Sequence, residues 1–424
     1  MFSRSVLRSV ALVCGSMVGL SALAGGTDWV RFRGPDGLGV SGETGLPVTW
    51  GEGKNIVWQT ELPGPGGSSP VVVGERIYLT CYSGYAVPRQ PRGDMAQLKR
   101  HLVCLGRRDG KIAWTKDVPS VLPDSERNRE SHGYASSTPV SDGERLYVFF
   151  GKSGVFAFDL DGRQLWHADV GQKLSGWGSA ASPILHGDLL IVNASVESTS
   201  LVALDKKTGK EKWRAPGIKE SWNTPILMTT KEGKTELVVA IAGSVLGLDP
   251  GTGERLWSCR TDIPWYMVPS LAAHEGIVYC IGGRGTGGSL AVRAGGRGEV
   301  TASHRLWMVE KGSNVPSVIY HDGHIYYSRE NGTAICADAK TGRTVYSEKL
   351  PRAGQVYASP VLADGRLYYF SRWGRGFVVA AKPKFELLAT NELGRVGMVN
   401  SSPAAVDGRL LLRSDKFLFC LGEK

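Results

Sequence analysis

Apolar residues in this chain come in short runs, each cut off by a turn. Leu146–Phe150 reads L-Y-V-F-F, and Ile325–Tyr327 and Leu367–Phe370 are of the same kind. No 3.6-residue spacing supports helices, whereas strands buried on both faces read as continuous apolar stretches. Asp142-Gly143, Asp322-Gly323, Asp364-Gly365 and Asp407-Gly408 precede such runs and are two-residue hairpin signals. A longer turn recurs farther on. Ala203–Trp213 reads A-L-D-K-K-T-G-K-E-K-W, Gly247–Trp257 and Cys336–Tyr346 repeat it, and Cys104–Trp114 and Ala157–Trp166 are looser copies. Each copy is an apolar run, an Asp/Thr/Gly turn that admits positive φ, then an outgoing strand ending in an aromatic residue.

A second marker sets the period. A small polar residue stands before proline at Ser69-Pro70, Thr138-Pro139, Ser182-Pro183, Thr224-Pro225, Ser359-Pro360 and Ser402-Pro403, with Val268-Pro269 and Val315-Pro316 as variants. From Pro139 onward the prolines are 44, 42, 44, 47, 44 and 43 residues apart. Proline at the first residue of a strand costs no ladder bond. The unit is therefore four antiparallel strands, A to D, and an all-β array of such units predicts a β-propeller. Eight markers predict eight blades. The last copy stops after Phe417–Leu421 without a strand D, while Asn55–Leu62, with Trp58, is a spare strand D; pairing them closes the ring.

The first blade is stretched, with 69 residues between its marker and the next. Insertions at Tyr85–Arg100 and Ser120–Tyr134 account for this. They fall in a B–C and a D–A connection, which emerge on one face of a propeller and predict a functional side there.

Composition refines this picture. Residues 1–24 read as a secretory signal, with Arg4 and Arg8, an apolar core and Ala22-Leu23-Ala24 as cleavage site. The chain is then expected to be periplasmic or secreted, with residues 25–54 as an extended strap and 55–424 as the propeller. Cys14 is a poor lipid-anchor candidate, and no later run predicts a membrane span. The formal charge is +10, but the basic residues are dispersed, which argues against nucleic acid. Cys104, Cys336 and Cys420 fall at the same place in three copies, where Ala203 stands in another, so they read as small core residues. His186, His274 and His321 recur in A–B turns of different blades, too far apart to share a metal. Gly282–Gly288 does not open a helix and lacks the context of a phosphate loop.

Ala203, Asp205, Thr208, Gly209 and Trp213 match the tryptophan-docking motif of pyrroloquinoline-quinone (PQQ) dehydrogenases, and the chain resembles the PQQ-like propeller family over Asn55–Lys424. The resemblance implies that this motif, with Trp257, Trp166, Trp114 and Trp58 in equivalent places, fastens blade to blade. It looks nearer to the enzymatically silent, BamB-like branch than to the enzymes, and Asp28–Pro35 is similar to the start of exported propellers of the planctomycete type. Enzymes of the wider family hold a flat tricarboxylate with Ca²⁺, which asks for carboxylate ligands. No Asp or Glu stands at a strand-A start here and no two cysteines are adjacent. No catalytic residue, metal or cofactor is therefore predicted; PQQ with calcium, and hence a quinoprotein oxidoreductase, is the alternative.

The binding candidates follow from blade symmetry. Three residues before the marker prolines stand Gly67, Ser136, Ala180, Trp222, Tyr266, Ser313, Tyr357 and Asn400, predicted to ring the channel mouth. Aromatic residues there either bind a flat or extended ligand or plug the channel by packing. The B–C turns on the same face carry Lys152, Arg284, Arg329, Arg372 with Trp373, Arg375 and Arg413. Those cations would suit a protein or an anionic envelope ligand, and otherwise are solvated loop tips. The protein is expected to act as a monomeric binding or scaffold module.

Overall fold

The computed structural model describes residues 28–129, 132–285 and 287–423. The leader predicted at residues 1–24 lies outside them. Eight antiparallel sheets surround a central channel, and each runs from an inner strand A to an outer strand D. Blade 3 shows the pattern: Ile184–His186, Leu189–Ala194, Ser200–Asp205 and Glu211–Pro216 pair in order. The eighth sheet joins both ends of the propeller. Ile56–Glu61 pairs antiparallel with Phe417–Leu421, Trp58 opposite Cys420, so the expected closure is present. Among the described residues helix is limited to Ser195–Ser198, Thr301–His304 and single 3-10 turns. No helix among the described residues is long and apolar enough to cross a membrane.

The core lies between blades. Tyr147, Phe149 and Ala157 of blade 2 pack on Leu190, Val192 and Val202 of blade 3, and Ile191, Leu201 and Ala203 of blade 3 pack on Leu237 and Leu246 of blade 4. This is why the inner strands read as unbroken apolar runs. The six cysteines of the described chain are buried and free. Cys104 faces Trp114 and Cys336 faces Tyr346 across strands C and D, as Ala203 faces Trp213.

The docking motif works between neighbours. Asp205 accepts hydrogen bonds from the Lys207 and Thr208 amides and the Thr208 hydroxyl, which shapes a turn with Gly209 at φ +74°. The indole of Trp166, from the preceding blade, lies on Gly209; a Cβ there would sit 2.7 Å from its ring. Trp213 lies in turn on Gly253, Trp58 on Gly110, Trp114 over Gly162 and Trp307 on Gly342. Glycine is required because it gives both positive φ and room for the ring. Trp257 departs from the pattern. The turn it would meet is replaced by an insertion whose Gly298–Glu299 adds a parallel fifth strand to blade 4, and its indole N–H donates to Glu236 instead.

The strap, residues 28–54, crosses the face of the A–B and C–D turns. Trp29 exchanges backbone hydrogen bonds with Val72 of blade 1, and Gly39 and Ser41 bond to Leu362 of blade 7. Between these points Arg33 is fully buried and donates to the carbonyls of Leu38, Ser270, Leu271 and Val318. Trp50 then packs against Tyr368 and Phe370 of blade 7, whose C–D pair, Val378 and Ala389, carries no aromatic residue. The channel is thus floored on the strap side and open toward the B–C and D–A loops.

Candidate functional site

The start of strand A is fixed by a closed crown of hydrogen bonds. The amide of Ser69 donates to the Thr138 hydroxyl, Thr138 to Ser182, Ser182 to Thr224, Thr224 to Ser270, Ser270 to Ser317, Ser317 to Ser359, Ser359 to Ser402, and Ser402 back to Ser69. All eight bonds are 2.9–3.1 Å. This is what the small polar residue beside each proline does: it satisfies the neighbouring blade's first amide, which faces no strand.

The crown corrects the register in two blades. In blades 5 and 6 the hydroxyl residue follows its proline, as Ser270 and Ser317. Val268 and Val315, not Tyr266 and Ser313, therefore occupy the places equivalent to Trp222 and Tyr357. Ser313 does not line the cavity above the crown; Val268, Val315 and Asn314 do. Tyr266 still reaches it, from a left-handed backbone (φ +65°) that is uncommon for a bulky residue.

That cavity has a volume of about 200 Å³. Phe32 of the strap contributes from the floor. On one side, Tyr266 packs against Trp177 (5.5 Å between centroids), Trp222 (5.8 Å) and Trp265 (5.0 Å). Trp222 is held by its indole N–H, which donates to Gly178 O at 2.8 Å. The exposed Arg284 guanidinium lies 5.0 Å from the Trp177 ring centroid and 5.6 Å from that of Tyr266. Such a stacked cation is held in place by the rings and keeps its donors free. On the other side Arg372 lies 4.3 Å over Tyr357 and donates to Asn400 and Gln355. His132 completes the wall with its Nδ1 3.0 Å from the Ser136 hydroxyl. Burial, helped by Arg129, pushes its imidazole down to about 3, so it is neutral at ordinary pH. Among the described residues no Asp or Glu lines the cavity.

The remaining predicted cations separate into different environments. Arg413, expected at a solvated loop tip, is fully buried and donates to Ser68 and the Cys81 sulfur, because the blade 8–blade 1 joint closes over it. Arg375 is engaged with Glu392 and Arg352 O, and Lys152 with Pro123 O. Arg329 is half-buried, lies away from the cavity wall and has a buried Nε without a partner among the described residues. Trp373 is 61% exposed, beside Gly354 and outside the cavity. The structure thus brings together Trp222, Tyr266, Tyr357 and Arg284, with Arg372 behind Tyr357, and leaves Arg329 and Trp373 on the surrounding face.

The two insertions form one knob over blade 1. Arg92 bridges Tyr85 and Glu126, Tyr85 packs on Tyr134, and buried Asp124 pairs with both Arg100 and Arg129. Sequence reasoning missed Phe32, Asn314 and the crown itself. Only the crown left a signal, the recurring hydroxyl residue beside proline.

Comparison with known proteins agrees with this architecture. BamB from Moraxella catarrhalis superposes with a TM-score of 0.62 at 14% identity, covering 87% of this chain and 97% of that one. Quinohemoprotein alcohol dehydrogenase from Comamonas testosteroni gives a TM-score of 0.67 at 12% identity, covering 94% and 81%. At these identities the likeness is one of fold. In sequence, the outer membrane protein assembly factor BamB of Burkholderia pseudomallei (strain K96243) is 26% identical over 213 residues, which span 49% of this chain and 46%, less than half, of that relative. A family model described as outer membrane protein assembly factor BamB matches residues 82–227 and again 194–384. With its eight blades, its docking turns and those two matches, the chain belongs to the BamB family of PQQ-like repeat propellers.

Proposed function

We propose that this protein is an exported, non-catalytic propeller that holds a protein partner or envelope ligand on its B–C/D–A loop face. The observation that carries the reading is the placement of Arg284 over the Trp177 and Tyr266 rings. A cation without an ion pair among the described residues stands there beside an aromatic-walled cavity, on the face that also carries exposed Trp373 and the double insertion. Aromatic residues and arginine are the side chains that dominate binding hot spots. By analogy with relatives described as outer membrane protein assembly factors, the partner would be a component of envelope assembly. The test is capture from periplasmic extract by immobilised protein, comparing wild type with Arg284→Glu combined with Trp373→Ala. Loss of the captured species at an unchanged melting temperature is expected; undiminished capture would place the partner elsewhere.

The second reading, a quinoprotein oxidoreductase, is favoured by the fold shared with a quinohemoprotein alcohol dehydrogenase. Among the described residues the wall's oxygen donors are hydroxyls and the amides Asn314 and Asn400, without a carboxylate, and this set does not fit a calcium-held quinone. Titration with PQQ and Ca²⁺, followed by absorbance and dye reduction, separates the two: saturable binding with dye reduction would establish the enzyme.

A further inference from the structure

The hydroxyl crown leaves its donor capacity unused. Each of its eight oxygens accepts one backbone amide, and none of the eight O–H groups has an acceptor among the described residues. All but Ser69 line the cavity, so these donors converge on the axis. Directly behind them lies Arg33. Its guanidinium is buried, bonds only to carbonyls, one of them that of crown residue Ser270, and keeps an unpartnered Nε. Burial and the nearby Arg31 lower its pKa to about 9, which leaves it charged at neutral pH. A buried charge without a counter-ion is costly, and the described residues supply no carboxylate to the cavity wall. A cation on the axis would face that guanidinium and donors pointing the wrong way.

We propose that the channel is a site for a singly charged carboxylate, its acid group on the hydroxyl crown and its apolar body between Trp222, Tyr266 and Tyr357. Neutral hydroxyls bond an anionic acceptor more strongly than a neutral one. A single negative charge matches one buried guanidinium below, and Arg284 at the mouth provides the second attraction as the ligand enters. Arg284 is shared with the proposed docking face, but benzoate binding is read without a partner, so either reading can fail while the other holds.

Benzoate is the probe, with benzamide as its neutral isostere and sulfate as the divalent control, titrated into the full chain by calorimetry. Benzoate is expected to bind one site per chain, at least about ten-fold tighter than benzamide or sulfate. Arg284→Gln should weaken benzoate by about five- to ten-fold at an unchanged melting temperature, since this side chain makes no bond that folding needs. Thr224→Val removes a crown donor and should weaken benzoate while benzamide is unaffected. That variant also strips the Ser182 amide of its acceptor, so 4-bromobenzoate soaked into crystals of the wild type gives an independent readout, with bromine expected above the crown. Equal affinity for benzoate and benzamide, preference for sulfate, absence of saturable benzoate binding up to about 10 mM, or bromine found only outside the channel would each overturn the proposal.

Discussion

The joint between blades 3 and 4 and the joint between blades 4 and 5 start from nearly the same sequence and are built differently. Both begin with an Asp–Gly turn and a tryptophan ten residues after the first position of the repeat, Trp213 in one and Trp257 in the other. Trp213 lies on the neighbour's turn glycine, Gly253, and donates to Pro250 O at 3.2 Å. Trp257 finds no such turn, because blade 5 inserts residues 294–304 there. Its N–H goes 2.7 Å to Glu236, a buried carboxylate that also accepts from the Gly295 amide and faces Arg297 at 3.6 Å. The role of a docking tryptophan is therefore set by the blade that receives it, not by the repeat that carries it.

The comparison can be broken at either joint. Trp213→Ala should have the largest effect, a loss of about 3–5 kcal/mol in denaturant unfolding, since it empties a packed interface. A loss below about 1 kcal/mol would mean that the indole contributes little to the joint. At the other joint, Glu236→Ala should cost about 2–4 kcal/mol, chiefly by leaving the buried Trp257 N–H without an acceptor. If it proves neutral, Trp257 is held by packing alone. Gly209→Ala should cost about 2–3 kcal/mol, because φ is +74° and the new Cβ would strike the Trp166 ring. Gly295→Ala, with φ +92° but only the end of the Glu232 side chain nearby, should cost closer to about 1 kcal/mol. Equal losses would show that backbone strain, not the indole, selects glycine.

The smallest effect contrasts Glu236 with a second buried carboxylate, Glu197 of blade 3. Ser179 donates to one of its oxygens and the other has no partner among the described residues. Burial pushes this carboxyl up to about 7, with Asp124 adding to the shift and Ser179 and Arg129 opposing it. An acid whose pKa is raised in the folded state stabilises below its unfolded value near 4.5 and loses that contribution as pH rises through about 7. Glu197→Gln should therefore melt above wild type at pH 8, by about 1–2 kcal/mol, and no higher at pH 4. A gap that does not grow with pH would remove ionisation of Glu197 as its cause.

The fold was legible because the repeat is written many times, so a weak signal in one blade is rescued by the others. The crown was legible at six blades, where the hydroxyl residue precedes proline, and slipped at Val268-Pro269-Ser270 and Val315-Pro316-Ser317, where proline moved and the hydroxyl did not. Trp307 escaped notice because the insertion before it breaks the spacing from Ala291, its partner across the strands. Arg413 and Arg372 looked like surface charges since local sequence does not say that a neighbouring blade covers them. Arg33 and Trp50 meet partners hundreds of residues away, Phe32 lines a cavity built from other blades, and no local pattern records such placements.

The strand at Ile56–Glu61 emerges first among the eight sheets' members and finds its hydrogen-bonding mate last, at Phe417–Leu421. Until then it is an unpaired edge, open to pairing with another chain. Pairing the two closes a loop over nearly the whole polypeptide, and the ring has to meet that closure entropy. A chain stalled short of Phe417 would carry two raw edges, Ile56–Glu61 and Arg409–Arg413, that await the same strand, a hazard for domain exchange that the finished circle removes.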